Sequence, residues 1–131
     1  MDEKDLIFDW NAIDYEIERK SSNHPHDVWF DDETLRDGLQ SPSARNPTIE
    51  EKIELIDYME KLGIQKVDLG LPGAGPFHVK HIDSMLTHMS ENSYELRPGC
   101  AVRTVVDDIR PLVDLQAKHE RQIQASAFLG T

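Results

Sequence analysis

Apolar and polar positions along this chain alternate with two different periods. Ile49, Ile53, Ile56, Met59 and Leu62 recur at helical spacing, which predicts an amphipathic helix. Thr48 stands at its start, with Glu51 three residues on to complete a capping box, and Gly63 suits the position just past its last turn. Short runs of strand length flank it. Val28–Asp32 predicts a first strand, Gln65–Gly70 a second, Leu96–Val102 a third and Ile123–Leu129 a fourth. In the second strand Val67, Leu69 and Leu71 point one way, and Lys66, Asp68 and Gly70 the other. A helix from about Phe77 to Met89 follows, with Phe77, Ile82, Met85, Leu86 and Met89 as its buried stripe. Pro98-Gly99 marks the start of the third strand or a bulge in it. Asp107 or Asp108 can cap a last helix that runs to about Lys118, with Ile109, Leu112, Val113 and Ala117 inward. Pro111 fits that helix only in its first turn.

The resulting order is β-α-β-α-β-α-β. That order predicts an α/β fold with parallel strands and right-handed crossovers. Residues 1–26 stand apart as an arm. They carry apolar side chains such as Leu6, Phe8 and Trp10, and end in the linker-like Ser21–His26. His24 and His26 have a spacing that metals use, but Pro25 and the loop composition favour a plain linker. His78, His81 and His88 read as a solvated or half-buried helix face rather than as ligands.

Charge narrows the partners. A net charge of −11 and a pI near 4.8 argue against nucleic acid and anionic membrane, because both are repelled at long range. No apolar run approaches the roughly 20 residues of a bilayer span. One cysteine, Cys100, permits no internal disulfide, and the acidic N-terminus lacks a basic leader. The expectation is a cytoplasmic protein.

The densest chemistry lies in Asp31–Gln40, which holds four carboxylates, one guanidinium and one amide. Such acids repel one another unless a cation or an arginine neutralises them. The plain reading is a solvated acidic turn with Asp37-Gly38 at its corner. The functional reading gives Arg36 a developing oxyanion to hold, and makes Asp37 a hard oxygen ligand for a metal. Arg36, Asp37, Asp68 and Arg103 all fall at or just after a strand's C-terminal end, where parallel α/β folds place chemistry. Leu71–Pro76 is glycine-rich, yet its glycines lack the dinucleotide-binding spacing. An open flavodoxin-like domain would fit the strand count, but no phosphate-binding loop follows the first strand.

Glu33-Thr34-Leu35-Arg36-Asp37-Gly38-Leu39-Gln40-Ser41-Pro42 resembles the first-strand signature of the DRE-TIM metallolyases. That superfamily includes 2-isopropylmalate synthase, homocitrate synthase, citramalate synthase and hydroxymethylglutaryl-CoA lyase. The resemblance runs on through Val67–Pro72 and Cys100–Arg103, covers roughly residues 27–131, and is strongest to the isopropylmalate synthase branch. Leu39 before Gln40 is closer to the lyases.

The resemblance implies the N-terminal half of a TIM barrel over residues 27–131, since a full barrel takes about 250 residues and eight strands. It implies Asp37 as a ligand to Mg²⁺, Mn²⁺ or Zn²⁺, Arg36 as the catalytic arginine, Gln40 near the substrate and Arg103 as a substrate-side arginine. Asp68 takes the place of the family's glutamate. One methylene shorter, it should reach Arg36 at longer range or through water. The implied reaction is a Claisen condensation of acetyl-CoA with a 2-oxoacid. A lyase-like cleavage and a non-catalytic half-barrel module are the alternatives. The family's late-strand His-x-His has no counterpart here, so the chain is expected to be part of a larger enzyme and inactive alone. Its two open sheet edges should pair with another copy or with the missing barrel half.

Overall fold

The computed structural model describes residues 29–129. The arm, the His24–His26 pair, Val28 and the last two residues lie outside them. Four strands, β1 (Asp31–Asp32), β2 (Lys66–Asp68), β3 (Arg97–Arg103) and β4 (Gln124–Phe128), form one parallel sheet in sequence order. Three helices connect them: α1 (Ile49–Leu62), α2 (Pro76–Glu91) and α3 (Val106–His119). Neighbouring parallel strands joined by helices, in unbroken order, match half of a TIM barrel.

Local chemistry fixes the elements. At α1 the Thr48 hydroxyl accepts the Glu51 N–H at 3.3 Å, and the Glu51 carboxylate accepts the Thr48 N–H at 2.8 Å. Gly63 then leaves the helix in the left-handed region, φ 72°. Thr48→Ala removes half of this box and should cost about 1 kcal/mol in chemical denaturation. Pro98 lies inside β3, yet it breaks no ladder. Arg97 N–H bonds back to Gln65 and Ala101 N–H to Gly70, so Pro98 faces the other neighbour. There β4 begins to pair only at Gly99.

The core lies between the sheet and the helices. Val67, Leu69, Cys100 and Val102 of the sheet meet Ile56, Ile82, Met85, Leu86 and Met89 of the helices. Burial pushes the Cys100 thiol far above its ordinary pKa, so it acts as a small apolar side chain. Hydrogen bonds then lock the layers. Asp57 on α1 accepts the Tyr94 hydroxyl at 2.8 Å and meets His88 Nε2 of α2 at 2.7 Å. Asp83 on α2 takes Lys118 at 2.7 Å and His119 at 2.8 Å from α3.

Several expectations need correction. Leu62 and Phe77 are exposed, because each sits at a helix end where the next layer no longer covers it. The last helix starts at Val106 with Val105 as its N-cap, and neither aspartate caps it. Its buried face is Asp108, Leu112 and Leu115, while Ile109, Val113 and Ala117 are exposed. Asp108 is buried to bind Arg103, and that turns the helix about its axis. Pro111 lies in the second turn, past the first-turn position expected of it. No described helix is long and apolar enough to cross a membrane.

The depressed carboxylates set an acid limit. Burial opposes ionisation of Asp57, yet its bonds from His88 and Tyr94 outweigh it and hold its pKa down. The Lys118 bond holds Asp83 down, and the Arg45 bond lowers Glu51 to about 2. Groups with lowered folded-state pKa stabilise the fold above the ordinary carboxylate range, near pH 4, and lose that effect as pH falls through the lowered values. The melting temperature should therefore drop between about pH 5 and pH 2. Asp57→Asn should flatten part of that drop in thermal scans.

Candidate active site

The turn after β1 places the central arginine. The Glu33 carbonyl accepts the Arg36 N–H at 3.1 Å and the Gly38 N–H at 3.0 Å. An Asx turn from Asp32 to the Thr34 N–H, at 2.8 Å, starts the bend, and Leu35 anchors it in the core. A 3₁₀ turn over Asp37–Gln40 follows.

Arg36 gathers three carboxylates. Its Nε donates to Glu33 at 2.8 Å, and its fork also meets Glu33 through a terminal nitrogen. Its other terminal nitrogen donates to Asp37 Oδ1 at 3.2 Å. Asp68 Oδ2, from the end of β2, lies 3.5 Å from Nε. The sequence reading led us to expect a long Arg36–Asp68 link, and 3.5 Å is beyond a good N–H···O bond. Asp68 is 3% exposed, and only its Oδ1 is bonded, by the Gly70 N–H at 2.9 Å. Oδ2 is buried without a hydrogen-bond partner among the described residues. Burial, with the Glu33 charge, raises the Asp68 pKa against the pull of Gly70 and Arg36. On Arg36, burial works against the charge, and the Glu33 bond more than restores it. Gly70 itself has φ +132°, a conformation that side chains rarely adopt, and this lets its N–H turn back to Asp68.

Gln40 lines the same cleft as Arg36, a space of about 270 Å³ between the loops after β1 and β2. Arg103 stands apart. All its side-chain polar contacts among the described residues go to Asp108, through a two-pronged pair at 2.7 Å and 2.7 Å. The structure thus brings together Arg36, Asp37, Asp68 and Gln40, and turns Arg103 toward Asp108 of α3.

Asp37 has an exposed carboxylate, a hard oxygen suited to a divalent cation. Among the described residues no three His, Cys, Asp or Glu side chains group to hold a metal. One carboxylate is too few for a resident ion, so these residues fit a metal only in part.

The sequence reading missed two groups. Lys52 is 5% exposed, on the buried face of α1 with Ile56 and Met59. Its spacing to Ile56 and Met59 was the available signal. Asp108, expected as a helix cap, instead holds the end of β3 from the first turn of α3.

Residues 27–127 match the HMGL-like family model. The chain is 42% identical over 89 residues to a 2-isopropylmalate synthase of Crocosphaera subtropica, covering 68% of this chain and 16% of that protein. It is 45% identical over 104 residues to a 2-isopropylmalate synthase of Streptococcus gallolyticus, covering 79% and 19%. A third, from Vibrio parahaemolyticus, is 30% identical over 101 residues, covering 76% and 18%. The chain therefore spans under a fifth of the length of these curated relatives.

Proposed function

This chain belongs to the HMGL-like family, and we propose that it forms the first part of a 2-isopropylmalate synthase-like active site. The reaction is the condensation of acetyl-CoA with a small 2-oxoacid. The observation that carries this reading is Arg36, held among Glu33, Asp37 and Asp68 at the C-terminal ends of β1 and β2.

Loss of a methyl proton from acetyl-CoA leaves an enolate, whose oxygen takes up the negative charge. Arg36 donates N–H to that oxygen, and its own charge and fork are fixed in advance by Glu33. The enolate carbon attacks the 2-oxoacid carbonyl, and hydrolysis of the thioester releases CoA and a 2-alkylmalate. Gln40 orients substrate from the cleft wall, and Arg103 holds a substrate carboxylate once released from Asp108. A divalent metal at Asp37 would polarise the 2-oxoacid carbonyl when bound. The proton-abstracting base and the remaining metal ligands come from elements other than these residues. The setting is the cytoplasm.

The test is CoA release from acetyl-CoA and 2-oxoisovalerate with Mg²⁺ or Mn²⁺. The 131-residue chain alone should show no turnover, and should regain it with the complementary barrel half. Rapid condensation by the chain alone, or none after complementation, would refute this division of labour. A second reading, a half-barrel pairing module, is favoured by β4, whose five residues are all exposed. Light scattering separates the two: a metal-independent dimer that never turns over supports the module.

A further inference from the structure

We propose that Lys52 and His81 form an anion-binding subsite for a carboxylate or phosphate group, in the inner part of the cleft that Arg36 and Gln40 also line. The two residues come from different helices, α1 and α2, and line one cleft of about 270 Å³ with Arg36, Gln40, Asn46 and His78.

Two side chains with no polar partner among the described residues line it. Lys52 is 95% removed from solvent, and no carboxylate or carbonyl pairs with its ammonium among the described residues. The other cations are differently placed. Arg36, Arg45, Lys66, Arg103 and Lys118 each have a carboxylate. Arg121, the other deeply placed cation, donates to the Tyr94 and Leu96 carbonyls. His81 Nδ1 is buried and has no hydrogen-bond partner among the described residues. A buried charge or polar atom is costly unless paired. An anion in this cleft would pair with the Lys52 ammonium and give the His81 ring a partner. In a chain of net charge −11, this local group of Lys52, His78 and His81 offers an anion a site that the surface does not. Burial lowers both the Lys52 and the His81 pKa, and the Lys52 charge lowers that of His81 further.

This inference does not depend on the condensation reading, and its test needs no turnover. The His81 ring is followed by NMR in the intact chain during titration with sodium phosphate or sodium malonate, at constant ionic strength set with chloride. Saturable shifts with either anion support the pocket, and the anion that acts assigns phosphate or carboxylate as the ligand class. In Lys52→Met the same anion should bind at least about tenfold more weakly, since a buried charged partner is lost. No saturable shift with either anion overturns the proposal. So does equal affinity in a folded Lys52→Met protein. If that variant fails to fold, His81→Phe replaces it, read through the Lys52 ammonium signal. Anion-induced displacement of that signal must then vanish or weaken tenfold, and its persistence overturns the proposal.

Discussion

Replacing Arg36 with lysine, in this chain complemented by the other barrel half, should lower kcat for the proposed condensation about 100- to 1000-fold, the usual loss when an oxyanion donor is removed. Lysine keeps the charge. It cannot keep a planar fork bonded to Glu33 while another N–H faces the substrate. KM for the 2-oxoacid should move little, because the lost contact forms in the transition state. Two changes at Asp68 sharpen the test. Asp68→Asn should cost much less than Arg36→Lys, since Oδ2 lies 3.5 Å from Nε and contributes no good hydrogen bond. Asp68→Glu restores a methylene and should bring the carboxylate onto Arg36, with activity kept or raised. Equal collapse in all three variants would mean that Asp68 binds Arg36 more closely in the working enzyme than here. Full activity in Arg36→Lys would remove the arginine from the chemistry.

Gly73→Ala should be the most damaging single methyl group that can be added near the site. A Cβ there would sit 2.9 Å from the Asp108 Cα, a backbone atom of α3 that has nowhere to go. Overpacking of this kind costs on the order of 3 kcal/mol at its upper range. The loop over Pro72–Ala74 and the first turn of α3 would have to part. Asp108 would then lose its grip on Arg103, so the end of β3 should loosen along with the loop. Urea unfolding should show a lower midpoint with an unchanged slope. Gly63→Ala offers a contrast. Unlike Gly73 it has positive φ, and its added Cβ meets nothing within 4 Å among the described residues, so only backbone strain of about 1 kcal/mol is expected. If the two variants unfold alike, close packing at Gly73 is not what the glycine provides.

Much of this molecule was legible before any coordinates. The capping box, Gly63, the strand order and the clustering of Arg36, Asp37 and Asp68 follow from local rules and from the topology of parallel α/β folds. What failed to read out depended on pairs distant in space. The inward face of α3 includes Asp108, which reaches back to Arg103, and no periodicity of apolar residues reports a buried carboxylate. Lys52 hid for the same reason. A lysine at an inward helical position reads as polar, although its long aliphatic stem packs well. Arg103 shares its strand-end position with Arg36, Asp37 and Asp68, but position alone does not show that Asp108 holds its side chain in this structure.

Each strand here pairs with the one before it, and register partners lie only roughly 25 to 35 residues apart. Such contacts have short closure loops, so the sheet can grow by accretion, one β-α unit at a time, in the order of synthesis. Every completed unit leaves a fresh edge on which the following strand can nucleate. The amides of β3, bonded on both sides, should then be the last to exchange with deuterium. The outward amides of β4 should exchange early, recording where growth would next resume.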